Sequence, residues 1–316
     1  MGLILAGGKS LRLFPVQTPK PLLKVGGKFL LQEAIERLDG FDVRIVTSGG
    51  IASEIRAQFL EAGISVPQFI LEPEGRDTAA AVGFALKECR NLNAPWIAVL
   101  SADHWMPETS SFPKFLKKVE MSILRHPKSL FVAGSPKSKK TSKTHFQFGW
   151  ITPGRKSTGD FSLPVTRFVE KPSAAKLKSL YKMRSLINCG MFFGTSQSFM
   201  KAYQDFYPDV LNSSVAYSSL PRLPIDRAIF EKADDVRVIP FDLRWEDLGT
   251  WADWHQHLPQ KNKSWPKEVF VRTATLKEVH VFHLKDIAIV EDAGRLLVMP
   301  LSQTRNMKKC LVGGSQ

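Results

Sequence analysis

Short apolar runs and helical patterns take turns along the first hundred positions. "LILA" (3–6) is an apolar strand, and "FLLQEAIERL" (29–38) carries a helical spacing. "VRIVT" (43–47) is followed by the helix-like "ASEIRAQFLEAG" (52–63), and the strand "PQFIL" ends at Leu71. Ala79, Val82, Gly83 and Leu86 then fall at i, i+3, i+4 and i+7, one buried helix face, before the buried strand "WIAVL" (96–100). Strand and helix alternating in this way predict an α/β fold with right-handed crossovers. The expected sheet is mixed but mainly parallel, with helices on both sides.

The middle of the chain is less regular. "FQFGWITP", "VTRFVEKP" and "INCGMFFG" read as strands, and helices are expected to start near Ala174, Gln197, Pro224 and Gly249. The texture changes after about Lys261. "KNKSWPK" reads as a linker, and "VFVRTA", "VHVFHL", "IAIVED" and "LLVMP" read as short strands with no helix between them. The expected division is a catalytic domain over 1–260 and a small β appendage over 265–316.

Composition narrows the class. The 316 residues are 43% hydrophobic, enough for a sizeable core. No run of about 18 apolar residues is present, so no membrane span is expected. The first apolar stretch is too short for a signal peptide, and a cytoplasmic location follows. Cys89, Cys189 and Cys310 are too few and too scattered for a disulfide framework or a zinc pattern. The net charge of +14 calls for an anionic ligand or a basic surface. The densest basic run, "KSKKTSK" (137–143), has no aromatic or glycine pattern of an RNA-binding module, so it reads as a solvated loop and no nucleic-acid partner is expected.

Candidate chemistry sits at strand ends, where open parallel sheets bind their ligands. Leu5 and Ala6 end the first strand and run into Gly7 and Gly8, whose backbone can turn tightly and approach an anion. Arg12, and Lys20 in "TPKP", add cationic donors with no acid nearby; together these read as a polyphosphate cradle. It is neither G-x-G-x-x-G nor a P-loop, whose first glycine would fall on Leu3. Asp103, in "LSADHW", and Asp247, in "RWEDLGTW", are candidate Mg²⁺ ligands, because Mg²⁺ in nucleotide sites takes one or two carboxylates plus phosphate oxygens. "EPEGRDTAAA" sets Glu72, Arg76, Asp77 and Thr78 between a strand and a helix N-terminus, where a loop can read a nucleobase or hold an anion; a capping turn by Asp77 or Thr78 is compatible with that. Glu170 and Lys171 end the strand of "FVEKP".

Taken in order, "LAGGKSLRLFP", "TPKPLL", "EPEGRDTAAA", "SADH", "FGWI", "FVEKP", "NCGMFF", "PIDRAIFEK" and "WEDLGTW" resemble the sugar-phosphate nucleotidyltransferases, and among them the mannose-1-phosphate guanylyltransferases. The resemblance spans roughly residues 1–255. It implies a glycosyltransferase-A-like (Rossmann-like) core. It also implies attack of a sugar 1-phosphate, mannose 1-phosphate by preference, on the α-phosphorus of GTP with Mg²⁺. By motif position, Leu5, Ala6, Gly7, Gly8, Glu72, Arg76, Asp77, Thr78 and Asp103 would hold the nucleotide, with Arg12 and Lys20 neutralising its phosphates. Asp103 and Asp247 would hold the metal. Lys171 would take the sugar phosphate, and Gly149, Glu170, Asn188, Gly190 and Asp226 would line the sugar pocket. Ser10 stands where the family carries glycine, and Asp77 where it often carries asparagine. No isomerase domain follows the motifs, so a single-function enzyme is expected, as a homodimer. The alternatives are a guanylyltransferase for another sugar phosphate, such as heptose 1-phosphate, and a catalytically silent nucleotide-sugar-binding regulator.

Overall fold

The computed structural model describes residues 1–8, 11–91, 94–136, 148–155, 157–258, 265–276 and 278–313. Lys9, Ser10 and the basic run 137–143 therefore lie outside the described residues. In chain order the first half comprises β1 (Gly2–Leu5), β2 (Lys24–Val25), β3 (Lys28–Phe29), α1 (Leu30–Glu36), β4 (Val43–Thr47), α2 (Gly49–Glu61), β5 (Gln68–Leu71), α3 (Asp77–Glu88), β6 (Ile97–Ser101), β7 (His104–Trp105), α4 (Phe112–Arg125) and β8 (Leu130–Ser135). Then follow β9 (Trp150–Pro153), β10 (Leu163–Val169), α5 (Ala174–Lys182), β11 (Leu186–Gly194), α6 (Ser196–Phe206), a π-helical turn (Asp226–Phe230), β12 (Val236–Pro240), β13 (Glu246–Asp247), α7 (Trp251–His257), β14 (Val269–Thr273), β15 (Ile287–Asp292), β16 (Arg295–Pro300) and α8 (Met307–Gly313). The chain divides into two compact units: Met1–Gly7, Ala34–Ala102 and Met106–Arg244 form the first, and Gly8–Glu33, Asp103–Trp105 and Trp245–Gln316 the second.

Unit 1 carries a nine-stranded sheet in the order β5-β4-β1-β6-β11-β8-β12-β10-β9. The strands β5, β4, β1 and β6 run parallel to one another, as the strand–helix alternation predicts. Beyond β6 the expectation of a mainly parallel sheet does not hold. β11 runs antiparallel to β6 and β8, and β10 runs antiparallel to β12 and β9, while β12 and β8 are again parallel. The sheet is therefore mixed. Antiparallel neighbours need no crossover helix, and residues 150–194 supply three strands with only α5 among them. Helices do cover both faces. On β11, Phe192 meets Phe230 of the π-turn while its neighbour Phe193 meets Phe115 of α4; adjacent strand residues point to opposite faces.

A buried ionic knot fastens this sheet. Asp160 Oδ2 accepts from Arg237 Nη2 at 2.6 Å and from His126 Nε2 at 2.7 Å, and its Oδ1 accepts from the Ser162 N–H and hydroxyl, both at 2.9 Å. Burial pushes the carboxyl up, but the Ser162 N–H, His126, the Ser162 hydroxyl and Arg237 outweigh it and hold it at about 2. With its ordinary value of 3.8 in the unfolded chain, the group contributes about 2 kcal/mol that is fully present above about pH 4 and is lost as pH falls towards 2. Asp160→Asn leaves the Arg237 charge buried without its carboxylate and is expected to cost about 3 kcal/mol, measured by urea denaturation at neutral pH.

Unit 2 holds the β14-β15-β16 sheet, with β14 and β15 parallel and β15 and β16 joined as a hairpin. Ala293 and Gly294, at φ 48° and 74°, make its tight turn. The expected strand at 279–284 is absent. Val281 is buried, but Phe282, His283 and Leu284 are exposed, and His283 takes φ 56°, which breaks an extended run. The helix α8 was not expected in this part of the chain. Among the described residues no helix is long and apolar enough to cross a membrane.

Candidate active site

The expected site residues gather into two clusters, one in each unit. The unit 2 cluster is built by the short pairing of β7 with β13, in which His104 lies opposite Asp247 and Trp105 opposite Glu246. That register brings Asp103, the residue before β7, beside Asp247, which lies far along the chain. Lys20 closes the pair: its Nζ is 2.8 Å from Asp103 Oδ2 and 2.5 Å from Asp247 Oδ1. The Lys20 side chain is buried, and both carboxylates are about one-third exposed. Burial pushes the Lys20 ammonium down, but Asp103 and Asp247 outweigh it and hold it above its ordinary value. It is therefore charged at every physiological pH.

Arg12 belongs to the same cluster. A Cβ added at Gly249 would sit 3.2 Å from Arg12 Nη1 and 3.4 Å from Asp247 Oδ2, which sets the guanidinium and the carboxylate on either side of the same backbone position. Thr250 caps α7 directly after this glycine: its hydroxyl and N–H both donate to Asp253 Oδ2, at 2.7 and 2.8 Å. That cap fixes the chain direction out of Asp247. Two carboxylates reaching a single ammonium nitrogen are close enough to share one cation. Among the described residues no group of three or more His, Cys, Asp or Glu forms a protein-only metal cage. Hard oxygen donors in this number fit Mg²⁺ that takes its other ligands from phosphate and water.

Two groups of residues stand out in unit 1. Around the nucleotide-loop candidates, Leu5 pairs within the sheet, Ala6 is buried, and Ala6 O accepts from the Thr47 hydroxyl at 2.9 Å. Gly7 and Gly8 do not use a left-handed conformation, so the tight turn expected of them is not what requires glycine. A Cβ at Gly7 would lie 2.9 Å from Glu72 Oε1, the end of a side chain that would have to shift, whereas Gly8 has open space. Glu72 Oε2 accepts from Tyr217 Oη at 2.9 Å, and burial pushes the Glu72 carboxyl up against the lowering effect of that bond. Arg76 is held by Glu74 at 2.7 Å. Asp77 adopts φ 69°, a region that Asn and Asp tolerate better than other side chains, which explains why either residue suits this position. Its Oδ1 accepts from the Thr78 N–H at 2.7 Å, while the Thr78 hydroxyl accepts from the Ile225 N–H at 2.8 Å. Neither makes the ordinary helix cap; Thr78 instead ties this loop to the Asp226 turn.

The second group is the expected sugar pocket. A bulge in β11 between Asn188 and Phe192, with Gly190 at φ 63°, turns the Asn188 side chain out of the ladder. Its Oδ1 accepts from the Gly190 N–H at 2.9 Å, which leaves its amide nitrogen to donate to Asp226 Oδ1 at 2.5 Å. Gly149 accepts from the Asn188 N–H at 2.9 Å, and a Cβ on Gly149 would lie 2.5 Å from Glu170 Oε2. Glu170 Oε1 is 3.2 Å from Lys171 Nζ, and Lys171 itself takes φ 48° at the strand end. Burial, and then Glu170, push the Asp226 carboxyl up to about 7.

Four residues of these clusters were not singled out by sequence. Glu231 Oε1 accepts from the Glu170 N–H at 2.7 Å; it lies in "PIDRAIFEK", one π-turn past Asp226, and that position was the available signal. Gly249 lies within the quoted "WEDLGTW" but drew no role. Trp251 closes the same motif and likewise drew no role, while Tyr217 acts across a long stretch of chain with nothing in its local spacing to mark it.

Comparison with known proteins places the chain in a family. A family model described as nucleotidyl transferase matches residues 1–264. A mannose-1-phosphate guanylyltransferase of Klebsiella pneumoniae is 26% identical over 98% of this chain and 72% of its own length. The alginate biosynthesis protein AlgA of Pseudomonas putida is 26% identical over 97% and 70%. Among solved structures, a Thermus thermophilus protein described as mannose-1-phosphate geranyltransferase superimposes with a TM-score of 0.84 at 22% identity, covering 100% of this chain and 99% of that one. HddC from Yersinia pseudotuberculosis, complexed with GMP-PN, superimposes at 0.52 and 19%, covering 81% and 96%. At those identities the two structures speak for the fold. The family match takes in every residue of both clusters, and the chain belongs to the nucleotidyl transferase family.

Proposed function

We propose that this protein transfers GMP from GTP to mannose 1-phosphate, releasing pyrophosphate and forming GDP-mannose. The observation that carries the reading is Lys20, held between Asp103 and Asp247 with Arg12 alongside. A buried cation, two carboxylates and a guanidinium suit a triphosphate with its metal. The likeness to proteins named mannose-1-phosphate guanylyltransferase supports the choice of both substrates.

Arg12 and Lys20 bind and neutralise the triphosphate. Lys171 binds the phosphate of the sugar. Asn188, Asp226 and Glu170 orient the sugar through its hydroxyls. An oxygen of the sugar phosphate attacks the α-phosphorus of GTP, and pyrophosphate leaves with the electrons of the broken P–O bond. Asp103 and Asp247 would hold Mg²⁺, which when bound would supply charge neutralisation on the phosphates. Positioning and electrostatics do the rest, with no covalent intermediate on the protein. The reading includes a homodimer, which light scattering on the purified protein checks directly.

The test of nucleotide choice is competition among GTP, ATP, UTP and dTTP with mannose 1-phosphate and Mg²⁺. GTP is expected to give the highest kcat/KM; equal use of all four would remove guanine from the reading. Asp226 supplies a pH signature. With its pKa at about 7, it is ionised above that pH and accepts sugar hydroxyl bonds, and it is protonated below. The sign for stability is the reverse. Because its pKa is raised from 3.8, the stability it contributes is present at low pH and is lost as pH rises towards 7. KM for mannose 1-phosphate is expected to rise about tenfold on going one unit below that pKa. In Asp226→Asn that part of the pH dependence should vanish, which separates it from titration of the sugar phosphate itself.

A further inference from the structure

The family match ends at residue 264, so nothing in it assigns a role to the sheet β14-β15-β16. Within unit 2 that sheet is packed on the segments that carry Arg12 and Asp247. The link is Trp251, fully buried at the start of α7. Its indole N–H donates to Phe14 O at 2.9 Å, two residues past Arg12. Trp254, also buried, donates its indole N–H to Leu248 O at 3.1 Å, one residue past Asp247. Each indole thus holds the backbone beside one member of the phosphate cluster.

Both rings are in turn gripped by β14. Phe270 stacks on Trp251 with centroids 5.6 Å apart and planes at 24°. Arg272, two residues on and so on the same face of the strand, sets its guanidinium carbon 5.9 Å from the Trp251 centroid and 5.4 Å from that of Trp254. One cation over two indoles holds their relative orientation in a way that an aliphatic side chain would not, because the attraction depends on the ring faces. The same C-terminal segment also holds the phosphate turn directly, through the Gln17 N–H to Asp292 Oδ2 at 3.2 Å.

We infer that Arg272 is a positioning residue for the nucleotide-phosphate cluster, acting through Trp251 and Trp254 on the backbone at Phe14 and Leu248. The C-terminal sheet is therefore a working part of triphosphate binding. That the cluster binds a triphosphate rests on the function proposed above; that Arg272 fixes the backbone does not.

The experiment uses the full chain with Arg272→Met, which keeps the stem but not the charge, Arg272→Lys, and Trp251→Phe, which keeps a ring but loses the indole N–H. Hydrogen exchange at the Val16 and Gln17 amides, bonded to Leu13 O and Asp292 Oδ2, reads the backbone without any substrate. Arg272→Met is expected to speed exchange there several-fold while amides of β1 and β6 stay as in wild type, and Arg272→Lys is expected to restore most of the protection. GTP affinity, by calorimetry, should fall about tenfold in Arg272→Met, with KM for mannose 1-phosphate within twofold. Trp251→Phe should reproduce the exchange change even if Arg272→Met folds poorly. A wild-type protein that binds no GTP would sink the functional reading and leave the exchange result to decide this one. Unchanged exchange at Val16 and Gln17, or equal loosening of β1 and β6, would overturn the positioning role.

Discussion

Replacing Asp247 by asparagine is expected to lower kcat by about 10²-fold or more, and Asp103→Asn to do the same, because the charge neutralisation they hold in place contributes several kcal/mol to the transition state. The reasoning rests on geometry. Asparagine keeps an oxygen that can accept from Lys20 Nζ, so the contacts at 2.8 and 2.5 Å survive in neutral form. What is lost is the negative charge that a divalent cation requires. Stability should hardly move, since each carboxylate is about one-third exposed and an ion pair so placed is worth on the order of 1 kcal/mol. Steady-state kinetics at saturating substrates, with a melting curve for each variant, checks both halves. A variant with wild-type kcat would take its aspartate out of the metal site.

The second large effect is a division of labour between two lysines. Lys20→Ala is expected to reduce kcat/KM for GTP by about 10²-fold or more and to leave KM for mannose 1-phosphate within about threefold. Besides losing a phosphate donor, the variant leaves Asp103 and Asp247 facing each other with their shared ammonium gone, which raises the cost of bringing a triphosphate near. Lys171→Ala is expected to do the opposite: KM for mannose 1-phosphate rises about 10- to 100-fold, the loss of one charge-assisted hydrogen bond to phosphate, and GTP affinity is kept. The Lys171 side chain is 59% exposed but its partner Glu170 is 9% exposed, so a melting curve of the variant accompanies the kinetics. Initial-rate matrices over both substrates separate the two variants. Identical patterns would contradict the division.

The parallel half of the sheet was legible because β4 and β5 are each followed within a few residues by a helix, α2 and α3, and the period of the pattern changes at those junctions. The antiparallel half was not, because which strand lies beside β11 is decided by packing far along the chain. The helix α4 shows a different failure. Phe112, Phe115, Leu116, Val119 and Ile123 have the spacing of a buried face and are buried as that spacing implies, yet the pattern is easily missed between two motif-rich stretches. Conversely, "VHVFHL" is rich in apolar and aromatic residues yet forms no strand; Val281 and Phe282 break its alternation and His283 takes φ 56°. In the site, residues inside contiguous motifs were readable as a group: Lys20, Asp103 and Asp247 come together, and Lys171 lies beside Glu170. Their supports were not. Tyr217 is 145 positions from Glu72, and Trp251 is 237 from Phe14; no local spacing connects such pairs.

Phosphorus NMR of a single reaction mixture reaches the central claim most directly. Purified protein is incubated with GTP, mannose 1-phosphate and Mg²⁺, and each component is omitted in turn. The expected result is pyrophosphate and the paired diphosphate signals of GDP-mannose, formed in equal amounts and only in the complete mixture. Conversion of GTP to GDP and inorganic phosphate regardless of the sugar, or no pyrophosphate with any sugar 1-phosphate tried while GTP still binds, would contradict it.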